Sequence, residues 1–85
     1  MAEEKEIGKI SHYFTNLGVA VIEVTNGELK NGDKIHIKGS TSDFEQTVDS
    51  LQIDRQEVEV VKKGESAGLK VVEHAREGDL VYLVE

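Results

Sequence analysis

Residues 18–39 read GVAVIEVTNGELKNGDKIHIKG, and this stretch decides the fold class. Residues 18–24 are β-branched and nearly all apolar, which predicts a strand that is buried on both faces or nearly so. Residues 26–33 hold two glycines and two asparagines, which supply the positive-φ positions that a reversing chain needs. Residues 34–38 alternate strictly between polar and apolar side chains, which predicts a strand with one solvent-exposed face. Leu29 is the large apolar residue of the connection, and we expect it to pack back onto the core.

Short strands are expected along the rest of the chain, because no window shows the 3.6-residue apolar period of a helix. The first is expected over residues 7–13 and the last over residues 79–84. Within residues 44–53 the apolar positions change parity, so we expect a β-bulge or a sharp bend near Asp49 and Ser50. The pattern therefore predicts an all-β fold of about seven short strands.

Length and composition limit the organisation and the location of the protein. Eighty-five residues allow one domain, which we expect over residues 7–85 after a flexible acidic lead over residues 1–6. The chain has no cysteine, which excludes disulfides and thiolate metal sites. No apolar run approaches the roughly 20 residues of a membrane span, and the acidic start is unlike a signal peptide. We therefore expect a cytoplasmic protein that does not contact a membrane.

The net charge of −7 argues against non-specific binding of nucleic acid by bulk electrostatics. The charge is uneven along the chain. Residues 1–40 hold six acids and five bases, a net of −1, whereas residues 41–85 hold eleven acids and five bases, a net of −6. A surface for a polyanion is therefore expected on the first half, while the acidic second half would attract a basic protein partner.

A short motif occurs twice, as a basic residue, any residue, Gly, Asp, any residue and an apolar residue. It occupies residues 30–35 and residues 76–81. We favour shared turn chemistry over a duplicated binding site, because Gly supplies positive φ and Asp accepts a hydrogen bond from a nearby backbone N–H. Each copy is expected to lead into a strand.

The order of these motifs resembles the second-domain β-barrel of the translation GTPases, as in elongation factor Tu and the bacterial-type initiation factor. The resemblance rests on Gly18 before a strand, on the Gly-x-Leu-Lys-x-Gly-Asp run at residues 27–33, and on residues 63–69 and 76–79. It covers about residues 7–84 and implies a small closed or partly closed antiparallel β-barrel of six to seven strands. No P-loop of a GTPase occurs in the chain, so we expect a free-standing or excised barrel.

A basic stripe is the first candidate binding surface. Lys34, His36 and Lys38 alternate along one strand, so their side chains are expected to project together from its exposed face. Lys9 leaves the first strand, and Tyr13 lies at the end of that strand. Cations beside exposed rings can hold phosphate and stack a base, which makes this stripe a candidate surface for RNA. The alternative is an ordinary solvated strand face.

The second candidate group contains Arg55, Lys62 and Lys63, which are expected on loops. In the translation-factor barrels this region and the loop before Gly18 help to form the pocket for the aminoacylated end of tRNA. Residues 16–19 here read Asn-Leu-Gly-Val where that family has Gly-Arg-Gly-Thr, so the family's arginine is missing.

The chain carries no residue pattern that indicates catalysis, a cofactor or a metal. His12, His36 and His74 are far apart, and no serine lies in a nucleophile-elbow motif. We therefore expect a non-catalytic binding module without a cofactor. The resemblance implies contact with RNA, tRNA or ribosome-associated factors. The alternative is a protein-interaction or accessory module without a nucleic-acid role, as in the tail domains of certain collagenase-like peptidases.

Overall fold

A computed structural model of the protein describes residues 4–40, 42–54 and 56–84, and all regular secondary structure within these residues is β-strand. Ten strands are present there, more than the sequence pattern predicts. In chain order they are β1 (Glu4–Phe14), β2 (Val19–Val24), β3 (Glu28–Lys30), β4 (Lys34–Lys38), β5 (Asp43–Thr47), β6 (Leu51–Ile53), β7 (Gln56–Val58), β8 (Val60–Lys62), β9 (Ser66–Lys70) and β10 (Leu80–Val84). The described part of the chain contains no helix that could cross a membrane.

The strands form a partly closed barrel. Eight of them make one antiparallel sheet in the order β5-β4-β10-β1-β2-β9-β6-β7. β5 and β6 are consecutive in the chain, but β5 pairs with β4 and β6 pairs with β9, so this segment joins the two sides of the sheet. The side chain of buried Gln46 on β5 adds a bridge, because it donates to Lys70 O at 3.0 Å and accepts from the Val72 N–H at 2.8 Å. The predicted all-β antiparallel architecture is confirmed.

The predicted bend near Asp49 and Ser50 is a break between two strands. β5 ends at Thr47 and β6 begins at Leu51. Between them Val48 is buried, and its backbone exchanges hydrogen bonds with the start of β4: its N–H donates to Asp33 O at 2.8 Å, and its carbonyl accepts from the Gly32 N–H at 2.7 Å. The apolar positions therefore change parity in the segment between β5 and β6, which belongs to neither strand.

β3 lies in the connection that the sequence pattern assigns to a turn. It pairs with β8 as a separate two-stranded ribbon, in which Leu29 lies opposite Val61. Both side chains are fully buried, so the expected packing of Leu29 on the core is found. A strand of three residues is too short for alternation to reveal it in the sequence.

β1 begins at Glu4 rather than at Ile7, because Glu4–Glu6 pair with Tyr82–Val84 of β10. The strand contains irregularities between Glu6 and Gly8 and between Ile10 and His12. As a result Ile7 and Ile10, which have opposite parity, both reach the core. β1 and β2 also approach closely at Gly8, where an added Cβ would overlap the Glu23 carbonyl oxygen.

Three turns share one chemistry. Their glycines have positive φ, at 93° for Gly32, 92° for Gly64 and 95° for Gly78. In each turn the acid after the glycine accepts a hydrogen bond at 2.9 Å from the backbone N–H three positions earlier, which pairs Lys30 with Asp33, Lys62 with Glu65 and Arg76 with Asp79. The predicted turn role of the repeated Gly-Asp motif is confirmed, and residues 62–65 form a third turn of this kind with glutamate as the acceptor.

Candidate functional site

The predicted basic stripe lies on the outer wall of the barrel, where Lys34 and Lys38 are exposed on β4. Carboxylates from neighbouring strands accompany its cations. The Nζ atom of Lys34 lies 3.1 Å from Glu45 Oε1 on β5, and Lys9 Nζ lies 3.9 Å from Glu23 Oε1 on β2. The wall is thus an alternation of opposite charges, which weakens its attraction for a polyanion.

His36 lies between Lys34 and Lys38, and its side chain is only 14% exposed. Its Nδ1 atom is 2.8 Å from Glu4 Oε2, and its Nε2 atom contacts Asp43 Oδ1. We call Glu4, His36 and Asp43 the His36 clamp. Both ring nitrogens face carboxylates, so the clamp suits a protonated imidazolium that donates two hydrogen bonds.

The electrostatics of the His36 clamp agree with its geometry. The pKa of His36 is raised from its ordinary value, chiefly because the Asp43 carboxylate accepts a hydrogen bond from the protonated ring, with Glu4 adding a hydrogen bond and charge. Burial of the ring opposes this rise. The pKa of Asp43 is lowered, first by the hydrogen bond from His36 and also by the positive charges of His36 and Lys38.

The His36 clamp is assembled by strand register. His36 lies opposite Tyr82 on β10 and opposite Glu45 on β5. Glu4 comes from the start of β1, on the far side of β10, and Asp43 from the start of β5. Residues so distant in the chain meet only after four strands have paired, so the alternation along β4 alone does not reveal the carboxylates.

One group within the described residues has the donors for a metal ion. Glu4, His36 and Glu45 each offer a ligand atom, and these atoms lie within 4.8 Å of one another. An imidazole with two carboxylates is a donor set that Zn²⁺ accepts. The same atoms already serve as partners, since Glu4 Oε2 is bonded to His36 and Glu45 Oε1 is paired with Lys34. Protein groups therefore already contact these side chains, and the absence of a metal stays a prediction.

Tyr13 contacts His74, with ring centroids 4.6 Å apart, rather than any member of the stripe. Beside it the rings of His12 and Phe14 are 4.4 Å apart in an edge-to-face arrangement. Phe14 opens the turn at residues 14–18, and its carbonyl accepts from the N–H groups of Leu17 and Gly18 at 3.1 and 2.9 Å. Two ring pairs therefore lie at the end of β1, next to this turn.

The same end of the barrel carries exposed apolar side chains. Phe14 is 43% exposed, Leu17 65% and Val72 69%, and these are the exposed large hydrophobic residues of the described chain. The Val71 N–H donates to Gly18 O at 2.9 Å, which brings the segment after β9 beside the turn at residues 14–18. We call the surface formed by residues 12–18 and 71–77 the apolar end.

The described members of the second predicted group, Lys62 and Lys63, lie at the opposite end. Lys62 ends β8 opposite Glu28 of β3, and Lys63 follows it in the exposed turn of residues 62–65. Arg55 lies outside the described residues. We call the turns of residues 30–33 and 62–65 the charged end. The predicted site residues therefore lie on the wall and at both ends, and the structure does not bring them together.

Sequence comparison identifies both a family and longer relatives. The model of elongation factor Tu domain 2 matches residues 18–83. The chain is 43% identical over 81 residues to an uncharacterized protease of Methanocaldococcus jannaschii, which covers 94% of this chain and 20% of that protein. It is 39% identical over 77 residues to a collagenase of Porphyromonas gingivalis, covering 89% of this chain and 21% of that protein. The chain thus spans about a fifth of the length of these curated relatives.

Solved structures agree on the fold. The C-terminal domain of a Geobacillus thermoleovorans protein assigned to the U32 peptidases superposes with a TM-score of 0.85 at 15% identity, covering 93% of this chain and 91% of that domain. Its selenomethionine variant gives a TM-score of 0.84 at 16% identity, covering 91% and 96%. At this level of identity the likeness concerns the fold alone.

The expected role in translation and RNA binding is wrong. The curated relatives that match nearly the whole chain are a protease and a collagenase, not translation factors. The charge pattern gives a physical reason, because Lys9 and Lys34 of the stripe lie beside carboxylates and Tyr13 points its ring at His74. The chain belongs to the elongation factor Tu domain 2 family, as a member whose curated relatives are peptidases.

Proposed function

We propose that this domain is a non-catalytic accessory module of U32-type and collagenase-type peptidases. The observation that carries the proposal is the match to the Methanocaldococcus jannaschii protease, which covers 94% of this chain but 20% of the protease. The bond-breaking residues of such a protein would then lie in the larger remainder, which we call the peptidase part. The domain would dock on the peptidase part and support its active form.

Two serine side chains and one histidine side chain support a non-catalytic role. The hydroxyls of Ser11 and Ser42 donate to the backbone carbonyls of Val21 and His74. Both nitrogens of His36 face carboxylates. A nucleophile needs a base within hydrogen-bond reach, and these contacts leave the hydroxyls and the imidazole engaged elsewhere.

A segment exchange in the Porphyromonas gingivalis collagenase tests the proposal. Three versions are compared for collagen cleavage: the whole enzyme, the enzyme without its matching segment, and the enzyme with this chain in place of that segment. We expect deletion to lower cleavage at least tenfold and this chain to restore most of it, because a docked module supports the active form. The isolated 85-residue protein should cleave no collagen.

An unrelated β-barrel of similar size, inserted at the same position, is the control for a mere spacer effect. Restoration by the unrelated barrel, or no restoration by this chain, would refute the accessory role. Collagen cleavage by the isolated protein would refute its non-catalytic nature. The basic partner that the acidic second half of the chain predicts would correspond to a basic surface on the peptidase part, and it stays a prediction.

A further inference from the structure

We propose that the apolar end is the surface by which this domain docks on the peptidase part. The inference rests on the proposed function and adds the surface to it. Large exposed hydrophobic side chains contribute little to folding, so their grouping on one end of a small barrel indicates an interface. Phe14, Leu17 and Val72 all lie at this end.

The backbone holds these side chains in place. The turn at residues 14–18 is closed by two N–H groups that donate to Phe14 O, and it is tied to the next segment by the bond from Val71 N–H to Gly18 O. Val72 is fixed in turn, because its N–H donates to Gln46 Oε1 at 2.8 Å. A surface that is ordered before binding loses little conformational entropy when a partner covers it.

The apolar end also contains shallow depressions with aromatic side chains beside them. Tyr13 lies between two shallow depressions, one of about 420 Å³ lined by residues 13–17 and one of about 350 Å³ lined by His12, Tyr13 and residues 74–77. Aromatic side chains beside such depressions are typical anchors of protein interfaces. Residues 14–18 carry no charged side chain, which suits the centre of an interface.

The peptidase part is the occupant that the observations favour. The chain corresponds to about a fifth of its curated relatives, so in those proteins a much longer polypeptide is joined to the matching segment. Covalent attachment gives that polypeptide a high effective concentration at any surface it can reach. The charged end is a poorer candidate, because none of the exposed large hydrophobic side chains of the described residues lies there, whereas the apolar end combines Phe14, Leu17 and Val72 with a charged margin at Glu73, Arg76 and Glu77.

Site-specific cross-linking in the exchanged collagenase tests the surface. The photoreactive residue p-benzoylphenylalanine replaces Phe14 in one version and Lys63 in the other, and cross-linked peptides are identified by mass spectrometry. We expect cross-links from position 14 to the peptidase part and at least tenfold fewer from position 63. The double change of Leu17→Ser and Val72→Ser should lower collagen cleavage at least fivefold, whereas Lys62→Ser with Lys63→Ser should leave it unchanged.

The outcomes separate the two proposals. Cross-links mainly from position 63, or full cleavage by the Leu17→Ser and Val72→Ser version, would overturn the docking surface while the restored activity upholds the accessory role. Cross-links between two copies of the domain would overturn the choice of occupant. Failure of the unmodified chain to restore cleavage would overturn both. Thermal unfolding of the isolated variants checks that each remains folded.

Discussion

The two ends of the barrel finish their strands in different ways. At the charged end the turns of residues 30–33 and 62–65 combine a positive-φ glycine with an acid that accepts a hydrogen bond from the first N–H of the turn. At the apolar end the turn of residues 76–79 repeats this chemistry, but the turn of residues 14–18 and the segment after β9 leave Leu17 and Val72 in solvent. In the glycine-plus-acid turns a side chain accepts a hydrogen bond from a backbone N–H group. The turn of residues 14–18 instead leaves apolar surface that is not buried when the chain folds.

Two leucines make the contrast specific. Leu29 and Leu17 each belong to a connection between strands of the main sheet, yet Leu29 is fully buried opposite Val61 while Leu17 is 65% exposed. Burying a leucine stabilises a fold by about 1.5–3 kcal/mol, and an exposed leucine contributes almost nothing. The same residue type therefore closes the core at one end of the barrel and lies in solvent at the other.

The largest effect is expected from Leu29→Ala. The change removes a fully buried side chain from the β3–β8 ribbon and leaves a cavity, so the free energy of unfolding should fall by about 2–5 kcal/mol. Urea unfolding followed by circular dichroism measures the loss, with Val72→Ala as the exposed control. A loss below about 1 kcal/mol would mean that the ribbon is not an integral part of the core.

Removal of the aspartate should lower the free energy of unfolding more at one Gly-Asp turn than at the other. Asp79 is buried at 5% exposure, whereas Asp33 is partly exposed, although both accept a hydrogen bond at 2.9 Å. Asp79→Ala leaves the partly buried Arg76 N–H without its acceptor and should cost about 1–3 kcal/mol, while water can replace the acceptor in Asp33→Ala. Urea unfolding measures both, and the corresponding Asn variants are controls that keep an acceptor. Equal losses would contradict this role of burial.

Much of the fold follows from local patterns. Strict alternation predicts β4 correctly, since Ile35 and Ile37 are buried between exposed lysines, and glycine with an acid predicts the turns. The start of β1 and the whole of β3 escape prediction. β3 has only three residues, and β1 contains two irregularities that break its alternation. In both cases the strand is defined by its partner and not by its own sequence.

The composition of the candidate surfaces depends even more on how the strands pair. Alternation indicates that Lys34, His36 and Lys38 share a face, but the carboxylates that accompany them come from other strands through a register that one strand cannot reveal. The apolar end did leave a signal in the sequence, because Phe14 and Leu17 are large apolar residues within an otherwise polar turn. Their exposure could not be predicted, since Leu29 occupies a similar context and is buried.

The His36 clamp connects the beginnings of β1 and β5 to β4 on the wall between the two ends. We expect it to make a smaller, pH-dependent contribution to stability. The raised pKa of His36 means that its contribution to stability is complete below about pH 6.5 and is lost as the pH rises through the raised value. The lowered pKa of Asp43 means that its contribution is present above about pH 3.8 and is lost as the pH falls through the lowered value. The clamp should therefore stabilise most at mildly acidic pH.

The variant His36→Gln should remove this dependence and lower the free energy of unfolding modestly at mildly acidic pH, because solvent weakens the ion pair with the largely exposed Asp43. Urea midpoints at acidic and alkaline pH, with titration of the ring by NMR, measure the effect. His74→Gln is the control, since His74 carries no carboxylate contact of this kind among the described residues. An unchanged pH profile in His36→Gln would show that the clamp does not form in solution.

The smallest effect on stability is expected from Leu17→Ser. This variant tests most directly whether the two ends of the barrel differ in their contribution to folding. Because Leu17 is mostly exposed, its loss should change the free energy of unfolding by no more than about 0.5 kcal/mol, as for Lys63→Ser at the charged end. The two variants should nevertheless differ in surface chemistry, since only Leu17→Ser shortens retention of the protein on a hydrophobic interaction column. If Leu17→Ser instead destabilised the protein by more than about 1 kcal/mol, the apolar end would be part of the folding core, and the two ends would differ only in how they are stabilised.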